Sequence, residues 1–522
     1  MGQGEDAAPP PGPALRKGFG DGTQQPRGFR GVIQVPGNSP PLSLTRSTYL
    51  SPALFGALLA TICVAAFLLP AAAPADEASL AEATPSNGPT TQTVSGQETT
   101  VLGDGSTAVA GEVLVGYAGS SEPQTVQIPE SSDPAAVADR IEDTAGVRYA
   151  IPNYIASSSG WLPNDPGVNP GRRGSWGGWR GKQWNFLSCL SLCHASRPSG
   201  RPQSRGGMNV VRAWQNLRRA GRPGAAGVKI AVVDSGIAYR RMGRRFRRAP
   251  DVARNRFLPG RDFVDNDRIP LDLFGHGTHI AMTIGEQTDN RRGLTGIAYR
   301  SKLMPVRVLD SNGDGDTADI ISGVRWATNH GARVIVMSLN FTCGVEVPPL
   351  EEALRQAWRK GVVMVGSAGN IPNEGCPSMP ATSPEVISVG GTTESGCVAT
   401  YSFESTAVDI SAPGGGRDRD GCPHASRNRP ILQLGMVAHD PGWFKIQPTW
   451  IGTSMSAAHV AGAAAAVIAS GVLGNRSGPG RVAARLEGTA RLPSYAAGNP
   501  ASGFGAGIVD LGRATNPAVT TD

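Results

Sequence analysis

Gly452-Thr453-Ser454-Met455-Ser456-Ala457-Ala458-His459 opens an alanine-rich run that continues to Leu473. Alanine is the strongest helix former, so Ser454 falls between a tight turn and a helix start. Unpaired N–H groups and the helix dipole favour negative charge at such a position. A serine hydroxyl is a poor nucleophile at neutral pH and needs a base within hydrogen-bond reach. Two upstream stretches supply partners. Val232-Val233-Asp234-Ser235-Gly236 ends an apolar run, and Gly275-His276-Gly277-Thr278-His279 opens a helical pattern. Imidazole titrates near the working pH, which makes His276 the candidate base. A carboxylate such as Asp234 holds the imidazole tautomer and stabilises the imidazolium as it forms. Alanine dominates the run from Ser456 to Leu473 and His459 interrupts it. It therefore reads as a buried interior helix, not a membrane span.

Around these motifs the chain alternates between two patterns. Val228–Val233, Leu303–Val308, Val334–Leu339, Val362–Ser367 and Val386–Val389 are short, largely continuous apolar runs. Strands of that kind are buried on both faces. Ala318–Ala327, Leu350–Lys360 and Ser454–Ala469 carry helical spacing. Crossovers of this type predict an α/β fold with a doubly wound, mostly parallel sheet. Functional groups then gather beyond the C-terminal strand ends, where Asp234 stands.

The order Asp, His, Ser, with Gly366-Ser367-Ala368-Gly369-Asn370 between the last two, resembles the subtilisin-like serine peptidases (subtilases) over roughly Met208 to Thr515. The resemblance implies a serine endopeptidase acting through an acyl-enzyme on Ser454, with Asp234 and His276 completing a triad. It implies that Asn370 and the Ser454 backbone N–H bind the oxyanion. It also implies an extended substrate peptide held between Gly313-Asp314-Gly315 and Ser338-Leu339-Asn340, with Ala368-Gly369 as the far wall of the primary pocket. Four residues depart from the family pattern: Asn340 for glycine, Ala458 for proline, Met282 for a small residue, and Val336 for asparagine. With the base role filled, His279 and His459 read as packing residues. A catalytically dead peptide-binding relative is the rival from another class. The mycosins usually carry a C-terminal anchor, and the kexin-type convertases a C-terminal domain. Only a dozen residues follow the closing segment Phe504–Asp510.

Upstream, residues 1–48 are rich in Pro, Gly and Arg and read as a disordered tail. Residues 49–73 contain the uncharged run Ala53–Leu69, a signal peptide or signal anchor with cleavage near Ala71–Ala73 favoured. Export to the cell envelope or medium follows, and the only membrane contact expected is through this run. Residues 74–108 read as a Ser/Thr/Pro-rich linker. Residues 109–158 read as strand, helix, strand, with an Asp133-Pro134 helix start. This small α+β unit, with Tyr149-Ala150-Ile151-Pro152-Asn153-Tyr154, resembles the inhibitor-type propeptide of subtilases. The chain would then be made as a self-inhibited precursor, cut near Ser157–Trp161. Residues 159–207 read as a Gly/Arg/Trp-rich linker and mature N-terminal segment, and 208–515 as the peptidase domain.

The net charge of +7 and pI near 9.2 come with no nucleic-acid module, so nucleic acid is not an expected partner. Substrates should be proteins or peptides. Arg240–Arg248 holds six arginines, read as an exposed loop, an attractor for an acidic wall polymer, or a nicking site. Seven cysteines include six downstream of Cys63, which suits an oxidising compartment. The family fold suggests the pairs Cys343–Cys376, Cys397–Cys422 and Cys189–Cys193. A zinc site using Cys189, Cys193 and His194 is the alternative. No cofactor is required. Asp310, Asn312, Asp314 and Asp316 imitate the start of a calcium loop, but Ile321 stands where the bidentate Glu belongs, so structural Ca2+ lacks a complete motif.

Overall fold

A computed structural model describes residues 91–94, 97–102, 107–154, 161–188, 204–371, 378–403, 405–423, 428–437, 439–475, 477–496, 499 and 502–521. The expected tail, the apolar run at 53–69, most of the cleavage window and the Cys189–Cys193 pair lie outside the described residues.

The N-terminal part is an antiparallel sheet of β1 (Thr91–Val94), β2 (Gln97–Val101), β3 (Thr107–Tyr117), β4 (Gln124–Gln127) and β5 (Val147–Tyr154), with helix α1 (Pro134–Glu142). Strand β3 pairs with β2 through its first residues and with β4 and β5 through its later ones. Gly111 makes the bend between them at φ 76°. A Cβ there would lie 3.1 Å from the Ile128 carbonyl oxygen. The Asp133 carboxylate accepts the Ala135 N–H at 3.0 Å, with Pro134 in the first turn, as the sequence predicts. Val113, Val115, Ile128, Val137, Ala138 and Ala150 form its core. Strands β1 and β2 lie in the stretch read as linker. Its threonines are β-branched and suit strands, and Thr99 and Thr100 are buried.

A parallel seven-stranded sheet forms the body. It comprises β6 (Lys229–Asp234), β7 (Arg261–Asp262), β8 (Lys302–Arg307), β9 (Val334–Met337), β10 (Val363–Ser367), β11 (Val386–Thr392) and β12 (Ile410–Pro413). The strand order is β12-β11-β10-β9-β6-β8-β7. The chain therefore builds one flank from β6 through β7 and β8, then crosses to the other flank at β9. This places the topological switch point beside β6, where α/β sheets hold their ligands.

Each strand serves two cores. Ile230, Val232, Val334, Val336, Val363 and Val365 face one core, and Ala231, Val233, Ile335, Met337 and Met364 the other. That period of two with both faces apolar explains the continuous apolar runs. The first core takes helices α2 (Val210–Arg219), α3 (His276–Gly285), α6 (Thr453–Ser470), α7 (Pro479–Gly488) and α8 (Leu511–Ala514). The second takes α4 (Thr317–Asn329) and α5 (Pro348–Arg359). Helix α6 is apolar enough to cross a membrane by length and composition, yet 83% of it is buried in the fold. It ends at Gly471, a left-handed cap at φ 78°.

Trp179, Trp184 and Phe186 are fully buried in the first core with Trp214. Much of the expected linker at 159–207 is thus core, hidden in a composition dominated by Gly and Arg. Cys397 and Cys422 are bonded, as expected. Cys343 is disulfide-bonded, and Cys376 lies outside the described residues.

Candidate active site

Asp234 is the last residue of β6, at the switch point. Its Oδ1 accepts the Ser235 N–H at 2.7 Å and faces His276 Nδ1 at 2.8 Å, with Oδ2 at 3.0 Å. His276 opens α3, whose close approach to the strand end requires glycine. A Cβ on Gly277 would lie 2.2 Å from the Gly236 carbonyl oxygen and 3.1 Å from Asp234 Oδ1. Burial opposes charging of His276, but the adjacent Asp234 carboxylate outweighs it and raises the imidazole pKa above its ordinary value. With Nδ1–H given to Asp234, Nε2 keeps its lone pair.

Asp272 holds this helix entry and was missed in the sequence. Its carboxylate accepts from Ser235 Oγ, and from the N–H groups of Phe274, Gly275 and Thr278, at 2.7–3.0 Å. Burial raises its pKa against those donors. The available signal was an acid just ahead of a helix start, the N-cap pattern.

Ser454 lies in the first turn of α6, after Gly452 at φ 139°. Helices α3 and α6 pack together, and the Trp450 ring is 5.3 Å from that of His276. The Ser454 hydroxyl donates to the Ser338 carbonyl at 3.3 Å, and Ser338 Oγ donates to the Ser454 carbonyl at 3.1 Å. Among the described residues no hydrogen bond joins His276 to Ser454. The serine bond is long, and only a χ1 change separates one hydroxyl direction from another.

Asn370 follows the end of β10 and is exposed. Its Oδ1 accepts the Thr453 N–H at 2.8 Å and the Thr453 hydroxyl at 3.0 Å. A backbone N–H can only donate, so oxygen must face Thr453 and the amide nitrogen must face away. That Nδ2 has no partner among the described residues. The site therefore offers an anchored amide donor beside Ser454, whose own N–H is unpaired by its place in the helix.

The expected substrate edges lie at the same end of the sheet. Ser338, Leu339 and Asn340 follow β9, and Ala368 and Gly369 follow β10. Asn340 is latched to Ser367: its Nδ2 donates to the Ser367 carbonyl at 2.6 Å and its Oδ1 accepts Ser367 Oγ at 2.9 Å. The Gly369 N–H donates to Thr453 Oγ1 at 3.2 Å. Gly313, at φ 90°, sits where a Cβ would meet the Phe274 ring at 2.8 Å, and that ring is 6.3 Å from His276. Asp310 Oδ1 accepts the N–H groups of Asn312 and Asp314, and Asp316 caps α4 through Asp319. Asp310 and Asp316 thus serve a turn and a helix cap. Gly315 lies against the Val308 carbonyl oxygen.

His279 donates Nε2 to the Ile431 carbonyl at 3.2 Å, and burial lowers its pKa to about 3. His459 gives Nδ1 to the Met455 carbonyl and faces Asn185 Nδ2 with Nε2, both at 2.7 Å, and burial lowers its pKa to about 4. Both stay neutral and act as internal connectors.

Comparison with known proteins identifies the family. A family model described as the subtilase family matches residues 225–507. The thermophilic serine proteinase of Bacillus sp. (strain AK1) is 31% identical over 336 residues, covering 64% of this chain and 67% of that protein. Thermitase of Thermoactinomyces vulgaris is 37% identical over 189 residues, covering 36% of this chain and 63% of thermitase. A solved structure described as proteases from Pseudoalteromonas arctica superposes with a TM-score of 0.51 at 27% identity, covering 69% of this chain and all of that one.

Proposed function

This chain belongs to the subtilase family of serine peptidases, and from that premise we propose an endopeptidase that cuts proteins or peptides through an acyl-enzyme on Ser454. His276 Nε2 takes the Ser454 proton as Oγ bonds to the substrate carbonyl carbon. The oxyanion so formed is held by the Ser454 N–H and Asn370 Nδ2. His276 then gives the proton to the leaving amine nitrogen as the C–N bond breaks, and water repeats the sequence in reverse. Asp234 orients the ring and stabilises the imidazolium as it forms.

The observation that carries this reading is the pairing of His276 Nδ1 with Asp234 at 2.8 Å beside an Asn370 amide fixed by Thr453. Profiling cleavage of a peptide library tests it. The full-length protein should release defined products, and Ser454→Ala should release none. A silent peptide-binding relative is the second reading, favoured by the Ser454 hydroxyl turning to Ser338. Retention of intact peptides by the unaltered protein would support it.

The remaining assignments belong to the same proposal. The extended substrate runs along 313–315 and 338–340, with 368–369 closing the primary pocket. No cofactor takes part in a chemical step. The precursor is self-inhibited through the α+β unit and is cut near Ser157–Trp161. In support, Trp161 is already fixed, its Nε1 donating to Asp289 at 3.0 Å under the Arg218 guanidinium. A cut just upstream would leave the following segment in place. The N-terminal apolar run directs export, and N-terminal sequencing of the secreted product reads both cuts.

A further inference from the structure

Six guanidinium groups, of Arg240, Arg241, Arg247, Arg248, Arg254 and Arg268, line a cleft of about 930 Å3 that no acidic residue lines. Its floor is apolar, with the Tyr239 and Phe257 rings 5.9 Å apart. Arg240 engages the Tyr239 hydroxyl. The other five make no ion pair or side-chain hydrogen bond among the described residues. Guanidinium groups gathered without counter-charges repel one another and concentrate anions from solution. Two carboxylates act on Tyr239 without lining the cleft: Asp267, one residue before Arg268, and the buried Asp262, which is already paired with Arg307 at 2.8 Å.

The cleft is tied to the candidate active site. Tyr239 is five residues from Asp234, a reach of at most about 18 Å. The arginine loop closes where the Ala249 N–H meets the Ala238 carbonyl at 2.8 Å. The Arg247 N–H donates to the Pro441 carbonyl at 2.9 Å, joining the loop to the hairpin of β13 (Gln433–Val437) and β14 (Asp440–Gln447). Beyond Val437 the same hairpin carries His439, whose ring is 5.5 Å from Phe274 beside His276. Met282, the large residue in a place where the sequence pattern expects a small one, packs with Ala238, Ala249, Val252 and Leu434. It thereby props the base of the loop against the hairpin.

Chemistry decides which part of a substrate passes here. The imidazole protonates the leaving amine, so the half of the peptide C-terminal to the cut departs on the His276 side. Phe274 and Trp450 flank His276, His439 of the hairpin lies against Phe274, and Pro441 of the same hairpin bonds the arginine loop. An extended chain advances about 3.3 Å per residue, so a span of at most about 18 Å needs no more than about five or six residues. We propose that this cleft binds an acidic, partly apolar segment of the polypeptide substrate, C-terminal to the bond that is cut. The proposal rests on the peptidase reading. Guanidinium forks match carboxylates bidentately, and the apolar floor accepts the side chains between them, which a bare polyanion would leave uncovered.

Two measurements test it. In the first, fluorescence anisotropy follows a labelled Glu/Leu peptide and its Gln/Leu isostere on the full-length Ser454→Ala protein. The Glu/Leu peptide should bind at least about tenfold tighter at low salt, an advantage that shrinks as salt is added. Arg241→Gln/Arg247→Gln and, from a separate wall, Arg254→Gln/Arg268→Gln should each reduce it. Equal binding of the two peptides, or unchanged binding to both variants, overturns the proposal, as does binding of inorganic polyphosphate without binding of the Glu/Leu peptide. In the second, the active protein cleaves substrates that share one core and carry the Glu/Leu segment on either end. The C-terminal placement should lower KM with kcat little changed, and an equal benefit from the N-terminal placement overturns the proposal. Failure to cleave any substrate strikes the peptidase reading instead, while the anisotropy experiment still reports on the cleft.

Discussion

Asn370 shows how much of the site rests on single atoms. Its carbonyl is locked by Thr453, so its amide is aimed before any substrate arrives. Asn370→Leu should lower kcat by about 10²–10³ with little change in KM, the loss expected for one oxyanion donor. Gly452→Ala should act through the same atom, because a Cβ there would lie 3.2 Å from Asn370 Oδ1 and the backbone φ is 139°. For His276 the sign of the pH effect follows from its raised pKa. The base works only when unprotonated, so kcat/KM should rise with pH through a midpoint above the ordinary histidine value. Asp234→Asn should shift that midpoint down along with the rate, since it removes the carboxylate that raises it. Asp234, His276, Ser454 and Asn370 were legible because their chemistry demands fixed residue types in short, recognisable surroundings. The Ser338–Ser454 exchange was not, because its two partners lie 116 residues apart, and Asp272 was passed over although most of its donors are local.

Elements tell a similar story. The five apolar runs became strands within a few residues of their predicted bounds, since burial on both faces leaves a plain signature. Strands β1 and β2 were hidden by threonines that read as linker, and β13 and β14 drew no reading from the sequence. Where the loops after α3 meet the N-terminal segment, three acids are buried together. Burial raises Asp165 and Asp251 to about 6 and Glu286 well above its ordinary value. Asp251 Oδ2 is buried with no hydrogen-bond partner among the described residues, and the neighbouring Asp251 carboxylate adds to the rise at Glu286. Between the unfolded value of 3.8 and about 6 the folded state therefore binds more protons than the unfolded one. Stability should fall as pH rises through that window. Calorimetric Tm values across it should decline, and Asp251→Asn should flatten the decline.

At the scale of the whole molecule, a segment that looks like a linker closes the core. Trp179 and Phe186 meet the Trp214 ring at 5.6 and 5.9 Å, and Trp214 Nε1 donates to the Ile297 carbonyl at 2.8 Å. Trp214→Ala should cost about 3–5 kcal/mol in denaturant unfolding, the range for removing a buried aromatic side chain. Composition concealed this role because glycine and arginine outnumber the tryptophans that anchor the stretch. The doubly wound sheet brings Asp234, His276, Ser454 and Asn370 from distant parts of the sequence to one end, and the claim that they form a working acyl-transfer centre is the most exposed part of the account. Peptide mass spectrometry of the full-length protein after treatment with a fluorophosphonate addresses it most directly. The account predicts one covalent adduct, on Ser454, lost in His276→Ala. An unmodified Ser454 in protein that has processed itself, or an adduct that survives His276→Ala undiminished, would contradict it.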